Sequence, residues 1–245
     1  MDGYQVSTDG KIQNQPEHQS NMNFFQRLIG IIVSPIKTID DLIEKPRILF
    51  PILSMGFGLL VLYLLRYELY TEYVHEALVR SLESMGQTLA PEQIEAYLQM
   101  TVPISLISSA IVPIITWFVI TAVIFGVVKI FKGEGSFKQY LSILGYAGVV
   151  TLLYYIICIA TSFMTGKLML DASLTNITNL FMPDIRGTYV YGIIRSIGLF
   201  SIWYYALVAV GVARLSKISK EKVFSMVTVI FIIEVLVNAM ENRYL

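Results

Sequence analysis

Five apolar runs, over 48–65, 103–131, 140–164, 189–213 and 223–240, constrain this chain more than any other feature. Each holds between 18 and 29 residues, and a helix needs about 20 to cross roughly 30 Å of bilayer hydrocarbon. In that medium backbone N–H and C=O groups must be satisfied without water, which makes the helix the local solution for runs of this length. The expected fold is all-α: a polytopic membrane helical bundle with five transmembrane helices. Composition agrees, since 55% of the 245 residues are hydrophobic and only 15% are charged, more apolar surface than one soluble core can bury. The first twenty residues lack the basic-then-apolar start of a cleaved export signal, so the first span is expected to do the targeting.

An odd number of spans places the termini on opposite sides, and the basic residues choose the sides. Lys11, Arg27, Lys37, Lys45 and Arg47 precede the first span, Lys129, Lys132 and Lys138 surround the second connection, and Arg214, Lys217, Lys220 and Lys222 the fourth. Those twelve face five on the other side, Arg66, Arg80, Lys167, Arg186 and Arg243. The positive-inside rule then gives N-terminus in and C-terminus out, in a multi-pass protein of a cell membrane.

Three regions follow. Residues 1–22 are a polar, disordered N-terminus. Residues 23–46 read as short amphipathic helices on the cytoplasmic membrane surface, with Phe24, Phe25, Leu28, Ile29 and Ile32 before Pro35 and Ile36, Ile39, Leu42 and Ile43 after it. Asp40, Asp41 and Glu44 among them read as a solvated acidic face rather than half of a magnesium-diphosphate site, because no second carboxylate cluster exists. Residues 47–241 form the five-span domain, capped by an outer helical hairpin over 67–102. Its first arm carries an apolar stripe and an exposed Glu76/Arg80 pair, and its second starts at Pro91, a first-turn proline. Tyr63, Tyr67, Tyr140 and Tyr189 stand near span ends and read as interfacial anchors. Asn176-Ile177-Thr178 matches a glycosylation acceptor, a triplet that arises often by chance.

The search for chemistry eliminates most classes. Eighteen basic residues balance eighteen acidic ones, so charge offers no reason to expect nucleic acid. The single cysteine excludes an internal disulfide, and with Cys158 inside an apolar run and His18 and His75 outside such runs, a Cys/His metal cage is not expected. His75-Glu76 begins like a zinc-protease helix, but Val79 stands where the second histidine belongs. A phosphate-binding loop ending at Gly166-Lys167 would need glycine in place of Thr161. No histidine lies in a span to serve a nucleophile. No enzyme activity, cofactor or metal is therefore expected.

The spans hold two ionisable residues, Arg195 in the fourth and Glu234 in the fifth, each costly to bury alone in hydrocarbon. Both fall six or seven residues from the outer end of their runs, so adjacent spans would bring them together, with Asn238 one turn from Glu234 as a third polar group. The cluster fits either an ion pair that sets helix register or a proton, ion or solute pathway. The second run, about 44 Å as a helix, contains Pro103 and Pro113, and a kink is expected at Pro113. Ser105, Ser109 and Thr116 on that run, Ser142, Gly145 and Gly148 on the third, and Gly192 with Ser196 on the fourth are small-residue stripes suited to close helix packing.

Pro35 and Pro46 flank a short helix before the first span, Phe131-Lys132-Gly133-Glu134-Gly135-Ser136-Phe137 enters the third, and Gly145-Tyr146-Ala147 lies within it. With Ala209-Val210-Gly211-Val212-Ala213-Arg214 closing the fourth, the arrangement resembles the Yip (Ypt-interacting protein) family of five-span membrane proteins, particularly its bacterial branch. The match covers roughly 24–240, with Gly145 and Tyr146 as its family motif. The resemblance implies a cytoplasmic N-terminus and five helices. Eukaryotic members are associated with Rab-type GTPases and carry an Asp-Leu-Tyr-Gly-Pro motif before the first span. The stretch here reads Arg47-Ile48-Leu49-Phe50-Pro51, and the long cytoplasmic domain is missing, so the resemblance does not carry GTPase binding over. For the bacterial branch it implies work beside ABC-type exporters. The expectation is a non-enzymatic membrane scaffold or accessory subunit whose partners are the lipid bilayer and other membrane proteins or further copies of itself. The alternative is a small oligomeric channel or transporter using the Arg195/Glu234 pair.

Overall fold

The computed structural model describes residues 22–168 and 188–241; the glycosylation triplet at Asn176 and most of the polar N-terminus lie outside them. The described residues form helices and no strand. Helix α1 (Phe24–Val33) opens with a capping box: the Asn23 side chain accepts from Gln26 N, and the Gln26 side chain accepts from Asn23 N, both at 2.9 Å. Pro35 begins α2 (Pro35–Glu44) after a break at Ser34. Gly30 lets the two helices close into a V, for a Cβ there would stand 2.4 Å from the Thr38 hydroxyl oxygen.

Helix α3 (Leu49–Leu65) is followed after a 96° bend by α4 (Tyr67–Ser84). At the corner Arg66 Nε donates to Ser162 Oγ at 3.0 Å, and the guanidinium lies over the Phe163 ring at 4.6 Å. Helix α5 (Pro91–Ile130) is 40 residues long, about 60 Å. The hairpin expected over 67–102 is thus made of α4 and the first turns of α5, which run straight on into the span through Pro103 and Pro113. The pair α6 (Phe137–Ala147) and α7 (Val149–Thr165) meet at Gly148 and together make one apolar stretch of 29 residues.

The fourth apolar run departs from expectation. It folds not as one helix over 189–213 but as α8 (Tyr189–Ser196) and α9 (Leu199–Ser216), interrupted at Ile197-Gly198, where Gly198 is extended (φ −118°, ψ 160°). Arg195 consequently stands on the short helix before the break, outside the continuous spanning helix. The last helix is α10 (Lys220–Glu241). Four stretches, α5, α6–α7, α9 and α10, are long and apolar enough to cross a membrane, and α3 with α4 makes a fifth if the bent pair is one span.

The centre of the bundle is α6. Every residue from Tyr140 to Ala147 is buried, because α1, α2, α3, α5 and α9 all pack around it. Its small-residue stripe admits the start of α3. The Ser142 hydroxyl accepts from Arg47 N and donates to Arg47 O, each at 3.0 Å, and a Cβ on Gly145 would lie 2.3 Å from Pro51 Cβ. Tyr140 is therefore no interfacial anchor: it is wholly buried, with its hydroxyl donating to the Glu134 carbonyl at 2.6 Å. Tyr63 turns inward too, stacking on Tyr70 with ring centroids 4.1 Å apart. Tyr67 and Tyr189 stay exposed.

Candidate functional site

At the end of the bundle that carries α1 and α2, charged side chains tie the chain together. Asp41, read from the sequence as part of a solvated face, is fully buried, and its carboxylate accepts from Arg27 Nε at 2.5 Å and from Met22 N at 3.0 Å. Asp40 and Asp41 are sequence neighbours on different faces of α2, which packs against α6 and α9 rather than lying alone on a membrane surface. Asp40 is in turn gripped by Arg214 of α9 through two bonds of 2.7 Å. Lys217 reaches Glu134 at 2.8 Å, and Glu134 N donates to Ser216 O at 2.9 Å. The three basic segments grouped by charge in the sequence thus meet at one end of the molecule. Tyr146 of the family motif is buried there, packing on Phe50 and interacting with the Arg27 guanidinium, while its neighbour Gly145 provides the space for Pro51.

The other polar region lies inside the membrane-spanning part. Arg195 from α8 and Glu234 from α10 line the same cavity, of about 460 Å³. The four ion pairs among described residues do not join them to one another. Instead the Tyr205 hydroxyl, from α9, donates to the Glu234 carboxylate. Asn238, one turn on, is absent from the wall. Pro113 lines the cavity, within a helix that continues unbroken past it, as do the α6–α7 junction at Gly148 and the α8–α9 break at Gly198. Two interruptions of regular helix therefore converge on one space. A smaller cavity of about 220 Å³ adjoins it towards the α3–α4 corner, and Arg195, Tyr154 and Tyr155 are common to both walls.

Tyr205 and Trp117 are the contributors that the sequence reading passed over. Trp117 is 2% exposed, lines the cavity, and carries the one buried side-chain N–H without a hydrogen-bond partner among the described residues. A lone tryptophan in an apolar run is an ordinary core residue by composition, and only the packing around it distinguishes this one. Among described residues no three of His, Cys, Asp and Glu group as metal ligands. The cavity sets a guanidinium, a carboxylate, an indole N–H and several hydroxyls in largely apolar walls.

With that geometry in place, comparison with known proteins decides the family. The Yip1 domain model matches residues 29–240. This chain belongs to the Yip1 domain family. The match starts within α1 and ends within α10, so the α1–α2 hairpin and all the spanning helices belong to the family domain. The chain is also similar to Membrane protein YknW of Bacillus subtilis (strain 168), at 24% identity over 194 residues, which is 79% of this chain and 80% of that one. No solved structure matches. The resemblance drawn from Pro35, Pro46, the 131–137 loop and Gly145-Tyr146 is borne out, and the protein is a multi-pass membrane protein.

Proposed function

We propose that this Yip1-domain protein is a non-enzymatic scaffold or accessory subunit of the cell membrane, with its N-terminus in the cytoplasm, working beside another membrane protein such as an exporter. The observation that carries the reading is the α1–α2 hairpin. The buried Arg27–Asp41 ion pair joins its two helices and the Asp40–Arg214 bridge ties it to α9, while Phe25, Ile29, Val33 and Ile36 are exposed. A rigid apolar ridge beside a cluster of basic residues is suited to a bilayer surface and to a neighbouring protein at that surface. The orientation rests on the basic residues gathered at this end.

The test is cross-linking in living cells from a photoreactive residue at Ile29, with membrane proteins identified by mass. A scaffold yields the same few membrane-protein neighbours each time, and loses them when Asp41→Asn releases the hairpin. Hydrolysis of a nucleotide, lipid or peptide by the purified protein, abolished by changing one of its own residues, would overturn the reading. A second reading, transport, is favoured by the cavity that Arg195 and Glu234 share. It requires flux in sealed liposomes that disappears in Glu234→Gln and Arg195→Gln proteins that remain folded.

A further inference from the structure

We infer that the cavity between α5 and the α9–α10 pair binds an acyl amphiphile drawn from the lipid phase, its chain against the apolar wall and its carbonyl or carboxylate oxygen at Arg195, Trp117 and the start of α9. This goes beyond the scaffold reading and does not depend on it. The first observation concerns access. Helix α5 packs on α3, α4 and α6 but not extensively on α9 or α10, although all three contribute to the wall. Its residues Val112 and Thr116 line the cavity and are exposed. They stand in the middle of the long apolar run. Counting turns from the basic end of each helix, Gly148, Trp117, Glu234 and Gly198 lie between about 17 and 27 Å along it. At Val112 and Thr116 the opening therefore faces sideways, from the middle of an apolar run.

The second observation concerns the donors. Helix α9 starts at the cavity, and its N-cap, Gly198, has no side chain with which to satisfy the first-turn N–H groups. Gly198 and Ser201 of that first turn line the cavity. An unmatched N–H is far costlier in an apolar medium than in water, and the positive end of the helix dipole favours an oxygen carrying negative charge. Trp117 adds, independently, its buried and unpartnered indole N–H. Arg195 adds a charged fork of five N–H donors, enough to serve a ligand beside its other contacts. The carboxylate in the cavity, Glu234, accepts from Tyr205, and the wall's hydroxyls both donate and accept. The groups that only donate, Trp117, Arg195 and the first turn of α9, call for an acceptor. Its mostly apolar walls, Met55, Ile120, Leu152 and Phe200 among them, select a hydrocarbon body. A volume of about 460 Å³ lies within the range of small-ligand sites, with room for one chain.

The experiment uses the full chain in dodecyl maltoside, an amphiphile without a carbonyl, and a palmitic acid bearing a photoreactive diazirine. Labelling is expected on the peptides containing Trp117 and Gly198–Ser201. Trp117→Phe keeps the ring and removes the donor, and should weaken binding roughly three- to tenfold, the effect of one hydrogen bond. Thr116→Phe narrows the exposed opening, and should abolish labelling with the melting temperature unchanged. Because Thr116 is exposed, this variant carries the test even if Trp117→Phe fails to fold. Unlabelled palmitate that competes alone identifies a free fatty acid as the occupant; diacyl phospholipid that competes alone identifies a phospholipid chain, and either supports the site. Labelling confined to the lipid-facing side of α5 around Ile104 and Ile107, or unchanged in both variants, overturns it.

Discussion

Asp41 shows how much one side chain can decide in this protein. Its carboxylate has no exposed surface and is matched by Arg27, so removing one partner strands the other in an apolar setting. Asp41→Asn should destabilise the folded protein by about 3 kcal/mol or more, whereas Arg27→Met with Asp41→Leu should recover most of the loss, because two apolar side chains leave no charge unpaired. Unfolding midpoints of the single and double variants in detergent check this; equal losses in both would mean that the pair is not what holds the hairpin. Gly145 is constrained by space rather than charge. A methyl group there would meet the Pro51 ring at 2.3 Å, and neither α3 nor the buried α6 can retreat without disturbing other contacts. Gly145→Ala should cost about 1–3 kcal/mol, the usual penalty of overpacking, and should be relieved by Pro51→Gly in the same chain, which removes both the Cβ and the Cγ that the methyl group would meet. The family motif then reads as two packing requirements, a gap for α3 at Gly145 and a buried ring at Tyr146.

Among the elements, the corners carry as much of the design as the helices. The 96° turn between α3 and α4 is fastened by Arg66, whose guanidinium bonds to the Ser162 hydroxyl and carbonyl and covers Phe163. Arg66→Ala should leave the spanning helices intact and loosen α4, seen as faster hydrogen exchange over Tyr67–Ser84 and unchanged exchange in α6. At the opposite end the 131–136 loop depends on Gly135, whose φ of +95° favours glycine and whose missing Cβ makes room for Leu215 at 2.7 Å. Gly135→Ala combines backbone strain with a clash, and should lower the unfolding midpoint by more than Gly86→Ala. Gly86 also has a positive φ, but nothing lies within 4 Å of where its Cβ would stand. The α8–α9 interruption is of another kind, for it opens a helix start into the cavity instead of joining two packed elements.

For the molecule as a whole, the orientation proposed from charge is open to direct measurement. The native cysteine, Cys158, is buried, so introduced cysteines can be followed against little background. In intact cells a membrane-impermeant maleimide should label a cysteine at Gly86 and spare one at Lys132 or Lys220; the reverse pattern would invert the topology. The number and order of apolar runs, their helical state, the helix start at Pro91 and the family itself were legible in the amino-acid sequence, because each is local: run length, periodicity, and a few residues at fixed spacing. The small-residue stripe on the third run was legible too, and it does receive α3. The partners were not. Asp41 looked like its solvated neighbour because amphipathicity records which residues share a face and not what will cover that face. The fourth run looked continuous because Ile197-Gly198 is apolar enough to pass for helix; in the structure the chain breaks there and α8 packs against α10. Arg195 and Glu234 stood out by the cost of charge in hydrocarbon, yet it is Tyr205 that the Glu234 carboxylate engages, and the cavity they share is lined by residues from distant parts of the chain. Sequence alone determined that this chain must cross a membrane as helices; which charges are buried, which helix is broken and where a space remains were decided by tertiary packing, since those depend on residues brought together from distant parts of the chain.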